Sequence, residues 1–82
     1  MFKKRLLSFP NGSFYIKYNS SKYLTTKSTI KDKIIKLYAK ELGGNDIVSC
    51  NYFVTIKNGL LKPCEMSDKK VIDFVNKLQI IK

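Results

Sequence analysis

Cys50 and Cys64 are the chain's only thiols, and there is no histidine to stand beside them as a base or a metal ligand. Two thiols fall short of the four ligands of a structural zinc site. A nucleophilic cysteine also needs a neighbouring base. The six carboxylates are Asp32, Glu41, Asp46, Glu65, Asp68 and Asp73. Most fall at expected helix starts or in exposed positions, where capping and solubility account for them. There is no GxSxG or Walker-type loop. Gly43-Gly44-Asn45-Asp46 has a phosphate loop's composition but closes a helical pattern instead of opening one, so it lacks the anion-binding geometry. The chemistry on offer is therefore that of a non-enzymatic binder, with no cofactor and no metal.

What remains is positive charge and aromatic rings. Sixteen Lys and Arg stand against six Asp and Glu, a net charge of +10 over 82 residues. A field of that size attracts polyanions and speeds encounter with them. All but one of the cations are lysine, whereas base-specific readout favours the forked guanidinium of arginine. Abundant Lys, Ile and Asn are also the mark of an AT-rich genome, so part of the charge is a composition effect. The expected partner is a nucleic acid or a nucleoprotein.

These side chains have to be positioned by a small fold. The hydrophobic content, 44%, suits one core in a single domain, residues 1–82. No run approaches the roughly 18 apolar residues of a membrane span, and the apolar stretch after MFKKR is too short for a signal peptide. A soluble cytoplasmic protein, with no membrane partner, is expected. Two halves, 1–44 and 45–82, share one order: strand, Asn-Gly turn, strand, amphipathic helix. The expected class is α+β with order ββ(β)αββα, an antiparallel sheet carrying both helices on one face.

In the first half, Pro10, Asn11 and Gly12 signal a turn between two strands. A three-residue loop places Leu6, Phe14, Ile16 and Tyr18 inward, with Lys3, Arg5, Leu7, Tyr15 and Lys17 outward. A two-residue loop turns Lys3 and Arg5 inward instead. Asn19-Ser20-Ser21 reads as a turn and residues 22–26 as a third strand. Ile30, Ile34, Leu37, Tyr38 and Leu42 follow helical spacing, so a helix is expected over about 29–42, capped by Ser28 or Thr29 and ended by Gly43-Gly44. Lys33, Lys36 and Lys40 then line one exposed side of it.

In the second half, a two-residue Asn58-Gly59 turn pairs Lys57 with Leu60, Ile56 with Leu61, Val54 with Pro63 and Phe53 with Cys64. Pro63 makes residues 60–64 an edge strand, a route to a homodimer or a protein target. This register leaves Cys50 about 10 Å from Cys64, too far for a disulfide. A last helix over about 68–80 starts at Ser67 and buries Val71, Phe74, Val75, Leu78 and Ile81, with Lys69, Asp73 and Lys77 exposed.

The stretch KKRLLSFPNGSFYIKY, followed by a third strand and TTKSTIKDKIIKLYAKEL, resembles the arm-type DNA-binding domains of tyrosine recombinases and similar three-stranded modules. The likeness covers residues 3–42; the second hairpin and helix lie outside it. It implies a sheet face in the major groove bearing Lys3, Arg5, Tyr15 and Lys17, with Lys22 and Lys27 near phosphates. Aromatic and basic residues on one strand face also suit stacking on single-stranded bases. In size and style the chain also resembles small phage or mobile-element products, anti-CRISPR proteins among them, that block a nucleic-acid enzyme. A small structural or assembly subunit is a third expectation.

Overall fold

A computed structural model describes residues 2–55, 59–64 and 66–81. A short helix α1 (Phe2–Ser8) leads into five strands, β1 (Gly12–Tyr18), β2 (Ser21–Ile30), β3 (Ile34–Glu41), β4 (Ile47–Phe53) and β5 (Leu60–Pro63). Helix α2 (Asp68–Lys77) and a two-residue strand β6 (Gln79–Ile80) follow. The fold is α+β, with one antiparallel sheet in the order β5-β4-β3-β2-β1-β6. Both helices bury their apolar residues in the same core, against one face of that sheet.

The element order corrects two expectations. Residues 2–8 are helix, not strand, so there is no hairpin at Pro10-Asn11-Gly12; Gly12 opens β1 instead, with a φ of +100°. Lys, Arg and Leu are good helix formers, and a helix lets Leu6 and Phe9 plug the core together. Residues 29–42 are not helix. They finish β2, turn at Lys31-Asp32 and form β3. Ile35, Leu37 and Ala39 are buried there while Lys36, Tyr38 and Lys40 are exposed, a period of two that only a strand produces. These corrections remove the strand–strand–strand–helix order on which the recombinase likeness rests.

Tight turns make the sheet a meander. Tyr18 pairs with Ser21 across Asn19-Ser20, both left-handed at φ 48° and 67°, the geometry whose twist suits a two-residue hairpin. The Lys31-Asp32 turn, φ 50° and 56°, is closed by the Lys33 N–H donating to the Ile30 carbonyl at 2.9 Å. The β4–β5 register also differs from expectation. Phe53 pairs with Leu60, Tyr52 with Leu61 and Cys50 with Pro63. The strands thus separate earlier than a two-residue turn allows; Ile56, Lys57 and Asn58 lie outside the described residues. β5 is an edge of the sheet, as Pro63 implies. The same register sets Cys64 beside Ser49, one residue from the position opposite Cys50, so the expected separation of about 10 Å is corrected; Cys50 is buried and Cys64 exposed, both as free thiols. Burial pushes the Cys50 thiol up to about 12, and the nearby Cys64 adds to the shift.

From β5 the chain crosses the whole covered face as α2 and returns as β6 beside β1 at the far edge. Ser67 caps the helix through the Lys70 N–H at 3.2 Å, and Asp68 lies in its first turn, where its charge suits the helix dipole. Val71, Phe74, Val75 and Leu78 are buried as expected, but Ile81 is exposed. The Phe74 ring packs edge-on to Tyr18 and Tyr23, with centroids 4.9 and 5.3 Å away. Both phenols reach carboxylates: Tyr18 donates to Asp73, and Tyr23 to Asp46 at 2.7 Å. Asp46 also takes Lys70 at 2.6 Å, and Asp73 takes Lys77 at 2.8 Å. Burial raises the Asp46 carboxyl, but Lys70 and Tyr23 outweigh it and hold the group below its usual range. Arg5 closes the assembly. Its guanidinium donates to the carbonyls of Val75 at 2.8 Å and Leu78 at 2.5 Å, satisfying the end of α2. No helix among the described residues is long and apolar enough to cross a membrane.

Arg5→Lys keeps the charge but not the fork. It should lower stability by about 1–3 kcal/mol, read as a lower urea midpoint with an unchanged slope. The phenols give a pH dependence. Burial, then the hydrogen bond to Asp73, pushes Tyr18 up to about 12, and burial with Asp46 raises Tyr23 further. An unfolded tyrosine ionises near pH 10. Below that both states hold the proton and the stabilisation is complete. Between about pH 10 and 12 the unfolded chain loses protons first, so stability should fall as pH rises. In urea melts at pH 8 to 11, Tyr18→Phe should flatten that decline.

Candidate functional site

The covered face uses one set of alternate side chains from every long strand, so the other set points away from both helices. Cross-strand pairing arranges that open set in rows. Lys17 lies beside Lys22, and Tyr15 beside Leu24, Lys40 and Ile47. The next row runs Ser13, Thr26, Tyr38 and Ser49. Beyond it come Ser28, Lys36, Asn51 and Lys62, and last Ile30, Ile34, Phe53 and Leu60. Tyr15 and Tyr38 are 52% and 46% exposed, far more than ring packing within the fold requires. They lie two strands and two residues apart, a diagonal of about 12 Å. Lys17 and Lys22 flank Tyr15 at one end of the face, while Lys36 and Lys40 flank Tyr38 along its own strand.

Five lysines therefore share the open face: Lys17, Lys22, Lys36, Lys40 and Lys62. Among the described residues no carboxylate joins them. Asp46 and Asp73 are held on the covered side by the phenols of Tyr23 and Tyr18, and Asp68 caps α2. Glu41 pairs with inward-facing Tyr23 and accepts the Asp46 N–H at 3.2 Å. Asp32 sits in the β2–β3 turn. Among the described residues, the positive charge of the open face is thus unopposed locally.

Of the candidates read from the sequence, the structure brings Tyr15, Lys17, Lys22, Lys36 and Lys40 together on this face. Lys33 lies in the β2–β3 turn and Lys3 on the exposed side of α1, both away from it. Arg5 is not on the sheet at all; it is spent on the α2 carbonyls and stacks its guanidinium 5.9 Å from the Phe9 ring centre. Lys27 faces the core side and is 5% exposed. Its ammonium donates to the carbonyls of Phe9 at 2.7 Å and Leu7 at 3.2 Å, and burial lowers its pKa. It ties the end of α1 to β2 beside a cavity of about 310 Å³ and is not available to phosphate. Sequence reasoning missed Tyr38, Lys62 and Phe53 as members of the face. The alternation of Ile35, Leu37 and Ala39 was the signal for Tyr38.

The chain matches no family model, no curated protein and no solved structure.

The open-face side chains do not hold the fold together. Lys36→Thr, Lys40→Thr and Tyr38→Thr keep strand propensity and should each shift stability by no more than about 0.5–1 kcal/mol. Phe74→Ala, a fully buried ring, should cost about 3–5 kcal/mol. Thermal melts of the four variants check the contrast.

Proposed function

We propose that this chain is a non-enzymatic binding protein that acts on nucleic acid, free or in a nucleoprotein, through the open face of its sheet. One observation carries the reading: five lysines and two half-exposed tyrosines share a face that holds no described carboxylate. A uniform composition effect would scatter charge of both signs over both faces. Instead, of the described acids, Glu41, Asp46, Asp68 and Asp73 lie on the helix side and Asp32 in the β2–β3 turn. Phosphates supply the matching negative charge, and ring faces supply contact area that tolerates any base. A cytoplasmic setting, which keeps both thiols reduced, goes with this reading. Pairing of a second copy at β5 is the weaker use of the molecule, because a four-residue edge carrying Lys62 and Pro63 is poorly suited to strand addition.

The test is fluorescence anisotropy of labelled oligonucleotides against salt concentration. Affinity should fall linearly on a log–log scale. Replacing Lys36 and Lys40 together by Thr should reduce the slope by about 1.5. Replacing Lys3 and Lys69 by Gln removes the same charge from the helix side and should leave the slope unchanged. Absence of binding to DNA and RNA at low salt rejects the reading.

A further inference from the structure

Resting on that reading, we infer that the occupant of the open face is a single strand, laid diagonally from the Lys17–Lys22 corner over Tyr15 and Tyr38 toward Lys36 and Lys62. Three features of the face select it over a duplex. The first is width. Strands β1 to β5 span about 19 Å, whereas the major groove is about 12 Å wide and admits a helix or a two-stranded ribbon. A five-stranded face touches a duplex only along a tangent.

The second is the pair of rings. Tyr15 and Tyr38 are exposed on interior strands of the sheet, with β6 outside β1 and β4 outside β3. A ring in that position gains most from a base face, and a duplex covers its base faces by stacking. The two platforms are about 12 Å apart, while stacked bases follow one another every 3.4 Å or so. A chain that uses both must be unstacked between them, which a single strand does at little cost.

The third is the course of the charges. Lys17 and Lys22 precede Tyr15 on the diagonal, Lys40 lies level with Tyr15 on β3, and Lys36 and Lys62 lie beyond Tyr38. Ammonium groups thus accompany the rings along one path, as a flexible phosphate backbone requires. Leu24 and Ile47, exposed in the row of Tyr15, add apolar contact for sugar and base edges.

The experiment compares a 12-nucleotide deoxythymidine strand, a 12-nucleotide uridine strand and a 12-base-pair DNA duplex at one salt concentration, by anisotropy. Both single strands should bind at least about tenfold more tightly than the duplex. Tyr15→Thr and Tyr38→Thr should each weaken single-strand binding by about five- to 150-fold, with no change in salt slope. Tyr38→Phe, which keeps the ring, should restore it. Equal or tighter duplex binding, or tyrosine variants without effect, overturns the single-strand inference and leaves the nucleic-acid reading standing if binding remains salt-dependent. Failure of all three probes at low salt overturns both.

Discussion

A sheet that is covered on one side only must divide its side chains by parity, and the rest of this structure depends on that division. Two helices, seven and ten residues long, are enough to cover one face. They do so because β1 to β4 turn alternate residues toward them: Ile16 and Tyr18, Tyr23 and Thr25, Ile35, Leu37 and Ala39, Val48, Cys50 and Tyr52. α2 lies across this floor with Phe74 set against Tyr18 and Tyr23. Once those positions are committed, Tyr15, Lys17, Lys36, Tyr38 and Lys40 have no helix to meet. Their exposure follows from the fold and is not a local accident.

The way α2 is held also settles where negative charge goes. A buried phenol needs an acceptor for its proton, and the two phenols under α2 take theirs from Asp73 on the helix and Asp46 on the β3–β4 loop. Lys70 and Lys77 then neutralise those carboxylates on the same side. Arg5, the one guanidinium, is drawn to the carbonyl end of the helix. Docking one helix thus consumes two of the few acids and the only arginine. Among the described residues, the lysines of the opposite face are left without carboxylate partners, which links the packing of the core to the electrostatics of the surface.

Elements that carry redundant signals were legible in the sequence. α2 combines a Ser cap, an acid in its first turn and an apolar stripe, and the inward set Phe14, Ile16 and Tyr18 alternates too regularly for anything but a strand. The turn at Asn19-Ser20 and the start of β2 were legible too, whereas the first helix and the end of β2 with β3 were not. Pro10-Asn11-Gly12 looks like a hairpin turn, and nothing local says that the chain before it coils. Between 29 and 42, Ile30, Ile34, Leu37, Tyr38 and Leu42 satisfy a helical period while Ile35, Leu37 and Ala39 satisfy a strand period. β-branched Thr29, Ile30, Ile34 and Ile35 favour the strand, but the deciding term is tertiary: β3 fills the sheet between β2 and β4. The second hairpin failed in register for a similar reason. Asn58-Gly59 suggests a tight turn, whereas the Tyr52 hydroxyl lies against Gly59, where any side chain would collide with it.

Part of the candidate face survived the misread element because of arithmetic. Residues four apart share a side in a helix, and any even spacing shares a side in a strand. Lys36 and Lys40 are therefore neighbours under either assignment. Lys33, three residues before Lys36, shares its side only in a helix, and it drops out to the turn. Tyr38 behaves in the opposite way. In a helix it would point roughly 200° away from Lys36, into the core with Leu37's stripe. In β3 it stands between Lys36 and Lys40, with its ring exposed. The change from helix to strand thus converts a plain lysine stripe into alternating cation and ring. Because β3 is an interior strand, that alternation sits near the middle of the open face, where Tyr15 and Lys17 of β1 and Lys22 of β2 extend it.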